Sequence, residues 1–237
     1  MSRKLFAGPW IGEFGCELML WQGHLRYLAK SKGCEITVAS RPDREYLYAD
    51  FCHEFVPYRS GQLTSKHKCY DTEVMPIWER YPHLERLTWK QFPLTKQGGV
   101  SVVSNQEFIQ YGTEMPVKQL DLLIHARATH KCDSAYRNWS LDNWTELVER
   151  VSVDRLASTS PRDSAWHVPG TQDIRDLELN DLCSFIRDAG LVMGPSSGPM
   201  HLASLCGVKH IVWGGPRNRD RYCDHWNPLK TYLTFID

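Results

Sequence analysis

Residues 191–207, LVMGPSSGPMHLASLCG, constrain this chain more than any other stretch. The apolar run Leu191-Val192-Met193 enters a turn of small residues, Gly194-Pro195-Ser196-Ser197-Gly198, and an apolar helix opens at Pro199. Proline suits a first helical position because its fixed φ matches the helix and its missing N–H had no partner there anyway. Gly207 stops the helix, and 208–213 reads as the next buried strand. A strand that feeds a helix through a Gly/Ser turn leaves backbone N–H groups around a partial positive charge, a ready site for an anion such as phosphate. The same residues also fit an ordinary strand–helix turn with a capping serine.

The remaining pattern is α/β. Strand signals at 4–7, 35–39 and 54–57 alternate with helices predicted over 16–31 and 43–51. In the first helix Phe14, Leu18, Trp21, Leu25 and Leu28 recur at steps of four and three, which draws one apolar stripe. From 60 to about 118 the pattern is less regular, with short strands at 100–103 and 107–109. A buried strand then spans 120–125, and Ser140 caps a helix to about 151 that carries Trp144, Leu147 and Val148 on one side. A strand over 154–158 follows, and Leu179, Leu182, Cys183 and Ile186 mark another amphipathic helix. Such alternation builds parallel sheets. It divides the chain into 1–117 and 118–237, while the tail after 214 takes no clear element.

Composition narrows the function. Apolar residues make up 42% of the 237, enough for a substantial core, and 28 basic residues balance 28 acidic ones. No global charge therefore points to nucleic acid or membrane. No export signal is expected from residues 1–9, and no apolar run nears the roughly 20 residues that span a bilayer. The eight cysteines form no C-x-x-C pair, so reduced thiols in a cytoplasmic protein are expected. His125, His130 and Cys132, or Cys223 with His225, lack a recognised ligand spacing, and no structural metal is expected.

Residues 191–216 resemble the C-terminal lobe of the family-nine, heptosyltransferase-like glycosyltransferases of GT-B fold. Their D-S-G-P-x-H-L-A motif, strand and G-P turn match Ser196-Ser197-Gly198-Pro199-Met200-His201-Leu202-Ala203 and Gly214-Gly215-Pro216. Arg137-Asn138-Trp139-Ser140 before Trp144 and Leu147 resembles the family's W-[SP]-x-x-x-W-x-x-L stretch, and Gly12-Glu13-Phe14-Gly15 its catalytic-base loop. The resemblance is specific over 120–216, suggestive over 5–39 and absent over 60–115. It implies two Rossmann-like lobes with a cleft between them. The N-terminal lobe, trimmed to fit 237 residues, is expected to bind the acceptor, and the C-terminal lobe the nucleotide-sugar. Ser196 stands where the family has the Asp that touches the donor sugar, so the motif speaks for the leaving diphosphate and not for the sugar.

Ligands of open α/β sheets bind at the C-terminal strand ends. By that rule Arg127, Ser158-Thr159-Ser160 and residues 194–198 share one edge. The donor diphosphate is expected on the N–H groups of Ser197, Gly198 and Met200 beside Pro199. Arg127, with Lys131 or Arg137, would neutralise its charge. His201 can hydrogen-bond a phosphate or the sugar, and Thr159 through Arg162 lie near the base or ribose. Glu13 is the expected base for the acceptor hydroxyl, with Glu17 one turn on as the fallback. Gly12, Phe14 and Trp10 line the acceptor side. A solvated loop charge at Arg137, a surface His201, a capping turn at Thr159, a helix-dipole Glu13 and a core Trp10 are the structural alternatives.

The resulting expectation is a metal-independent glycosyltransferase with no cofactor beyond its donor, inverting on the family pattern. Its acceptor is a saccharide or lipid-linked glycan, or alternatively a hydroxymethylated base in DNA. Arg59, Lys66, His67, Lys68, Lys90 and Lys96 give the first lobe a basic tract that can track phosphates, although solvated loop charge explains them as well. A nucleotide-sugar epimerase or hydrolase on the same fold and a non-catalytic sugar-nucleotide-binding module are the other readings.

Overall fold

A computed structural model of the chain describes residues 2–59, 75–97, 99–116, 118–129 and 134–236. They form two compact units, Met1–Phe108 and Ile109–Asp237. The boundary falls earlier than the 117/118 expected from sequence because residues 109–116 are tied into the second unit. Tyr111 N–H donates to Leu205 O (3.0 Å), Thr113 N–H to Ser184 Oγ (3.1 Å) and Arg187 Nη1 to Gly112 O (2.7 Å).

The first unit holds a parallel sheet in the order β3-β2-β1-β4, built from β1 (Lys4–Ala7), β2 (Glu35–Ser40), β3 (Glu54–Pro57) and β4 (Glu85–Leu87). Leu5, Phe6 and Ala7 are all buried, as a central parallel strand covered on both faces requires. An antiparallel hairpin, β5 (Leu94–Gln97) with β6 (Val100–Val103), follows. The long helix is composite: α-helical over Phe14–Cys16, π-helical over Glu17–Trp21 and α-helical again over Gln22–Lys30. Its stripe buries Leu18, Trp21 and Leu25.

Two expectations for this unit are corrected. Residues 43–51 do not form an α-helix; a 3-10 helix spans Pro42–Leu47 and turns follow. A tertiary partner takes a carbonyl that helix would have used: Arg26 Nη2 donates to Leu47 O (3.1 Å), and Phe51 N–H, its partner in an α-helix, goes to Tyr48 O (3.1 Å). Residues 107–109 are not a strand: Glu107 N–H donates to Gly23 O (2.9 Å), a tether onto the helix and not part of a ladder.

The second unit is a six-stranded parallel sheet in the order β12-β11-β10-β7-β8-β9. Its strands are β7 (Leu120–Ile124), β8 (Leu156–Ser158), β9 (Gln172–Asp173), β10 (Ala189–Pro195), β11 (His210–Trp213) and β12 (Leu233–Ile236). Leu141–Arg150, Leu179–Asp188 and Gly198–Leu205 are helices. Leu122, Ile124, Trp144, Leu156 and Trp213 pack into one core, so the sheet and the Leu141–Arg150 helix share it. β12 places the tail as an edge strand on β11, which the sequence pattern did not reveal.

No helix among the described residues is long and apolar enough to cross a membrane. Cys16, Cys34, Cys52, Cys183, Cys206 and Cys223 are free thiols. Cys69, Cys132, His130, Lys131, Lys66, His67 and Lys68 lie outside the described residues.

Candidate functional site

Parallel register brings the polar residues of the second unit to one edge. Ile124 of β7 sits opposite Met193 of β10 and Ser158 of β8, and Pro195 opposite Trp213 of β11. The ladder continues one step past each strand: His125 N–H donates to Met193 O (2.9 Å), Thr159 N–H to Ile124 O (2.9 Å) and Ser196 N–H to Trp213 O (2.7 Å). His125, Thr159 and Ser196 therefore crest the sheet together. Gly194 is required there, because a Cβ would lie 2.9 Å from His125 Cβ and 3.1 Å from Met200 Sδ.

β10 runs through Gly194 and Pro195, so the turn expected from sequence shortens to Ser196-Ser197 before the Gly198–Leu205 helix. Ser197 occupies the N-cap in an extended conformation without capping through its side chain; its hydroxyl donates to Pro195 O (2.8 Å). The Ser197 amide donates to the Tyr222 hydroxyl (3.2 Å), and the His201 amide to Ser197 O (3.3 Å). With Pro199 lacking an N–H, Gly198 and Met200 supply the remaining amides of the first turn. The Met200 side chain is buried in the core.

Two arginines stand at this crest. Arg137 Nη1 donates to Ser196 O (2.9 Å), while its own carbonyl accepts from Trp213 Nε1 (3.2 Å), which locks residue 137 to the end of β11. Arg127 is buried and donates through Nη1 to Asn138 Oδ1, and Asn138 Nδ2 donates to Thr129 O (2.9 Å).

His201 is not the surface histidine of the structural alternative. It is buried, stacked on Tyr222 (ring centroids 4.6 Å apart, planes at 13°) and edge-on to Trp226 (5.0 Å). Burial, then the charge of Arg221 and the neighbouring His210, push its pKa down to about 3, so the ring is a neutral hydrogen-bonding group and not a cation. Its Nδ1 has no hydrogen-bond partner among the described residues, and the same holds for the buried Thr159 Oγ1. Burial also raises the pKa of Tyr222 to about 12, keeping its hydroxyl protonated.

In the first unit Glu13 is half-buried at the N-cap of Phe14–Cys16, with φ −63° and ψ 141°, and its carbonyl accepts from Glu17 N–H (3.1 Å). Gly12 and Phe14 flank it, half-buried, and the Arg44 guanidinium lies 3.7 Å from the Phe14 ring centroid. Glu17 is 1% exposed, accepts from the Ser40 and Tyr48 hydroxyls (2.6 Å each) and has Arg44 Nε at 3.7 Å from Oε2. Burial raises its pKa against the lowering effects of Arg44, Ser40 and Tyr48. A carboxyl so enclosed is a structural group in this conformation and gives the fallback base no open face. Trp10 is likewise a core residue, 1% exposed and packed on Trp21 and Trp89 at 5.1 and 5.3 Å.

Sequence reading missed Tyr222, which reaches the turn from the tail, and the bond between His125 Nδ1 and the Ser160 hydroxyl. Neither carries a local signal, because both pairs join residues remote in sequence. Among the described residues no group of three or more His, Cys, Asp or Glu side chains could hold a metal ion.

No protein-family model matches the chain, and no curated protein matches it. Solved structures do. The E. coli ADP-heptose lipopolysaccharide heptosyltransferase II superposes with a TM-score of 0.63 at 12% identity, over 99% of this chain and 90% of that one. The glycosyl transferase family 9 structure from Veillonella parvula gives 0.61 at 10% identity, over 99% and 86%. The E. coli heptosyltransferase WaaC with ADP gives 0.61 at 10% identity, over 100% and 94%. The described residues have an α/β fold with parallel sheets, similar to that of the family 9 glycosyl transferase and the heptosyltransferases.

Proposed function

We propose that this chain is a glycosyltransferase that moves a sugar from a nucleotide-sugar donor to an acceptor hydroxyl, inverting the anomeric centre without a metal ion or any cofactor beyond the donor. Its units are read as the two Rossmann-like lobes of a GT-B enzyme, the first trimmed and carrying the acceptor, the second carrying the donor. The observation that carries the reading is the crest of the second sheet, where a Ser196-Ser197 turn opens a helix and Arg137 is bonded to that turn.

In this reading the Gly198 and Met200 amides hold the donor diphosphate at the positive end of the helix. Arg127 and Arg137 offset the charge that grows as the glycosidic C–O bond breaks and the diphosphate leaves with the electron pair. His201, neutral and buried, contributes a hydrogen bond but no charge. The Glu13 carboxylate takes the proton of the acceptor hydroxyl as its oxygen attacks the anomeric carbon. A saccharide or glycan hydroxyl is the acceptor.

A thermal-shift panel of UDP-, GDP-, ADP- and CMP-sugars tests the donor site, since a ligand at 100 times its Kd adds about 2.7 kcal/mol of stability. One member of the panel raises Tm on this reading; no shift with any member sinks it. Glu13→Gln should keep that shift and lose transfer by about 10²–10⁴-fold. Unchanged turnover removes Glu13 as the base.

A further inference from the structure

The end of β8 is held in an unusual way. Ser160, a residue with a side chain, adopts φ +108°, and its carbonyl accepts from the amide of Asp176, itself at φ +63°. The Asp176 carboxylate accepts from Arg162 N–H and pairs with Arg162 Nε, both at 2.9 Å. Positive φ is costly outside glycine and persists where the surroundings enforce it, most often at binding sites. Here the enforcing contact is the buried His125 ring, whose Nδ1 bonds the Ser160 hydroxyl. A glycine would take this conformation without strain, so what serine adds at position 160 is its hydroxyl.

His125 is itself fixed. Its amide is in the ladder with Met193, and the Cβ-free Gly194 gives it room from the other side. Burial and the nearby Arg127 hold its pKa at about 3, so the ring is neutral. Its Nε2 and the neighbouring Thr159 Oγ1 are both buried, and neither has a partner among the described residues. The unspent Thr159 hydroxyl, neutral and next to Ser160 at the end of β8, suits an uncharged, hydroxyl-bearing group.

We propose that His125 and Ser160 form a positioning pair, in which the imidazole–hydroxyl bond holds residues 159–162 ready for the nucleoside end of the donor. This rests on the donor-site reading above. It differs in placing the nucleoside, and not the diphosphate, under the control of two residues outside the Ser196–His201 turn. The pair acts before binding, by keeping the segment in one conformation, so its loss reduces the fraction of protein competent to bind.

Calorimetric titration with ADP, GDP, UDP and CDP identifies the diphosphate that wild type binds best; that one is then titrated into Ser160→Gly, Ser160→Ala and His125→Asn. Ser160→Gly should fold, melt above Ser160→Ala because only glycine relaxes the backbone, and yet bind about tenfold more weakly, as should Ser160→Ala. His125→Asn, whose amide reaches the position of Nδ1, should stay within about threefold of wild type. Wild-type affinity in both Ser160 variants overturns the pair, because a merely structural contact changes Tm and leaves Kd alone. A tenfold loss in His125→Asn also overturns it, by assigning the effect to Nε2. If wild type binds none of the four nucleotides, the donor reading fails first and the pair falls with it.

Discussion

If the proposed donor site is right, His201 sets stability against binding within one side chain. Its ring fills the space between Tyr222 and Trp226, while its unpartnered Nδ1 carries the desolvation cost of about 1–3 kcal/mol that a buried orphan incurs. His201→Phe keeps the stacking and removes the orphan, so Tm should rise while affinity for the bound nucleotide falls. A lower Tm measured by calorimetry would show that Nδ1 is satisfied in solution. Glu17 gives an opposite lesson about pH. Its folded pKa lies above the ordinary 4.5, so between those two values the native state holds more proton than the unfolded chain. Its contribution is full below 4.5 and is lost as pH rises through the folded value. Glu17→Gln should therefore gain Tm relative to wild type as pH is raised from 4.5, and a constant difference across that range would contradict the burial. In sequence Glu13 ranks first, on its match to the family's base loop, with Glu17 as the fallback. The enclosure of Glu17 was not legible there, because Ser40, Tyr48 and Arg44, which surround its carboxyl, come from residues 23 to 31 positions away.

Elements were legible where local chemistry and tertiary contacts agree. Ser140 caps Leu141–Arg150 by accepting from Asn143 N–H (3.2 Å), as its position before an amphipathic run implies. Ser140→Ala should cost about 1 kcal/mol, or roughly 2–4 °C in Tm for a chain of this size, with transfer unaffected. A change in nucleotide affinity in the same variant would mean that the cap also orders Arg137 and Asn138. The β7, β10 and β11 strands announce themselves as apolar runs because both of their faces are covered. The helix over 43–51 fails for a reason absent from its own residues, since Arg26 takes the Leu47 carbonyl that Phe51 N–H would have used. The π-helical turn at Glu17–Trp21 was equally unreadable, because a 3.6-residue stripe survives one widened turn. At β10 the strand carries on through Pro195 and the next helix starts at Gly198, so the sequence overstated the turn by three residues.

At the scale of the whole molecule the second unit buries three neutral histidines in different places: His125 just past the end of β7, His201 in the Gly198–Leu205 helix and His210 at the start of β11. His125 and His201 are held near pKa 3, with burial as the main cause, and burial lowers His210 as well. In each case the unfolded chain binds a proton below about 6.5 that the native state refuses. Stability from these groups is therefore whole at neutral pH and is lost as pH falls from 6.5 toward 3. Tm should drop progressively over that range. His201→Phe, which removes one of the three, should show a shallower drop than wild type. Equal slopes for wild type and His201→Phe would mean that the ring takes up its proton inside the folded unit. The stacked site against Tyr222 would then have to admit water, and the Ser196-Ser197 turn that Tyr222 contacts would be far more open than its 3.2 Å hydrogen bond implies.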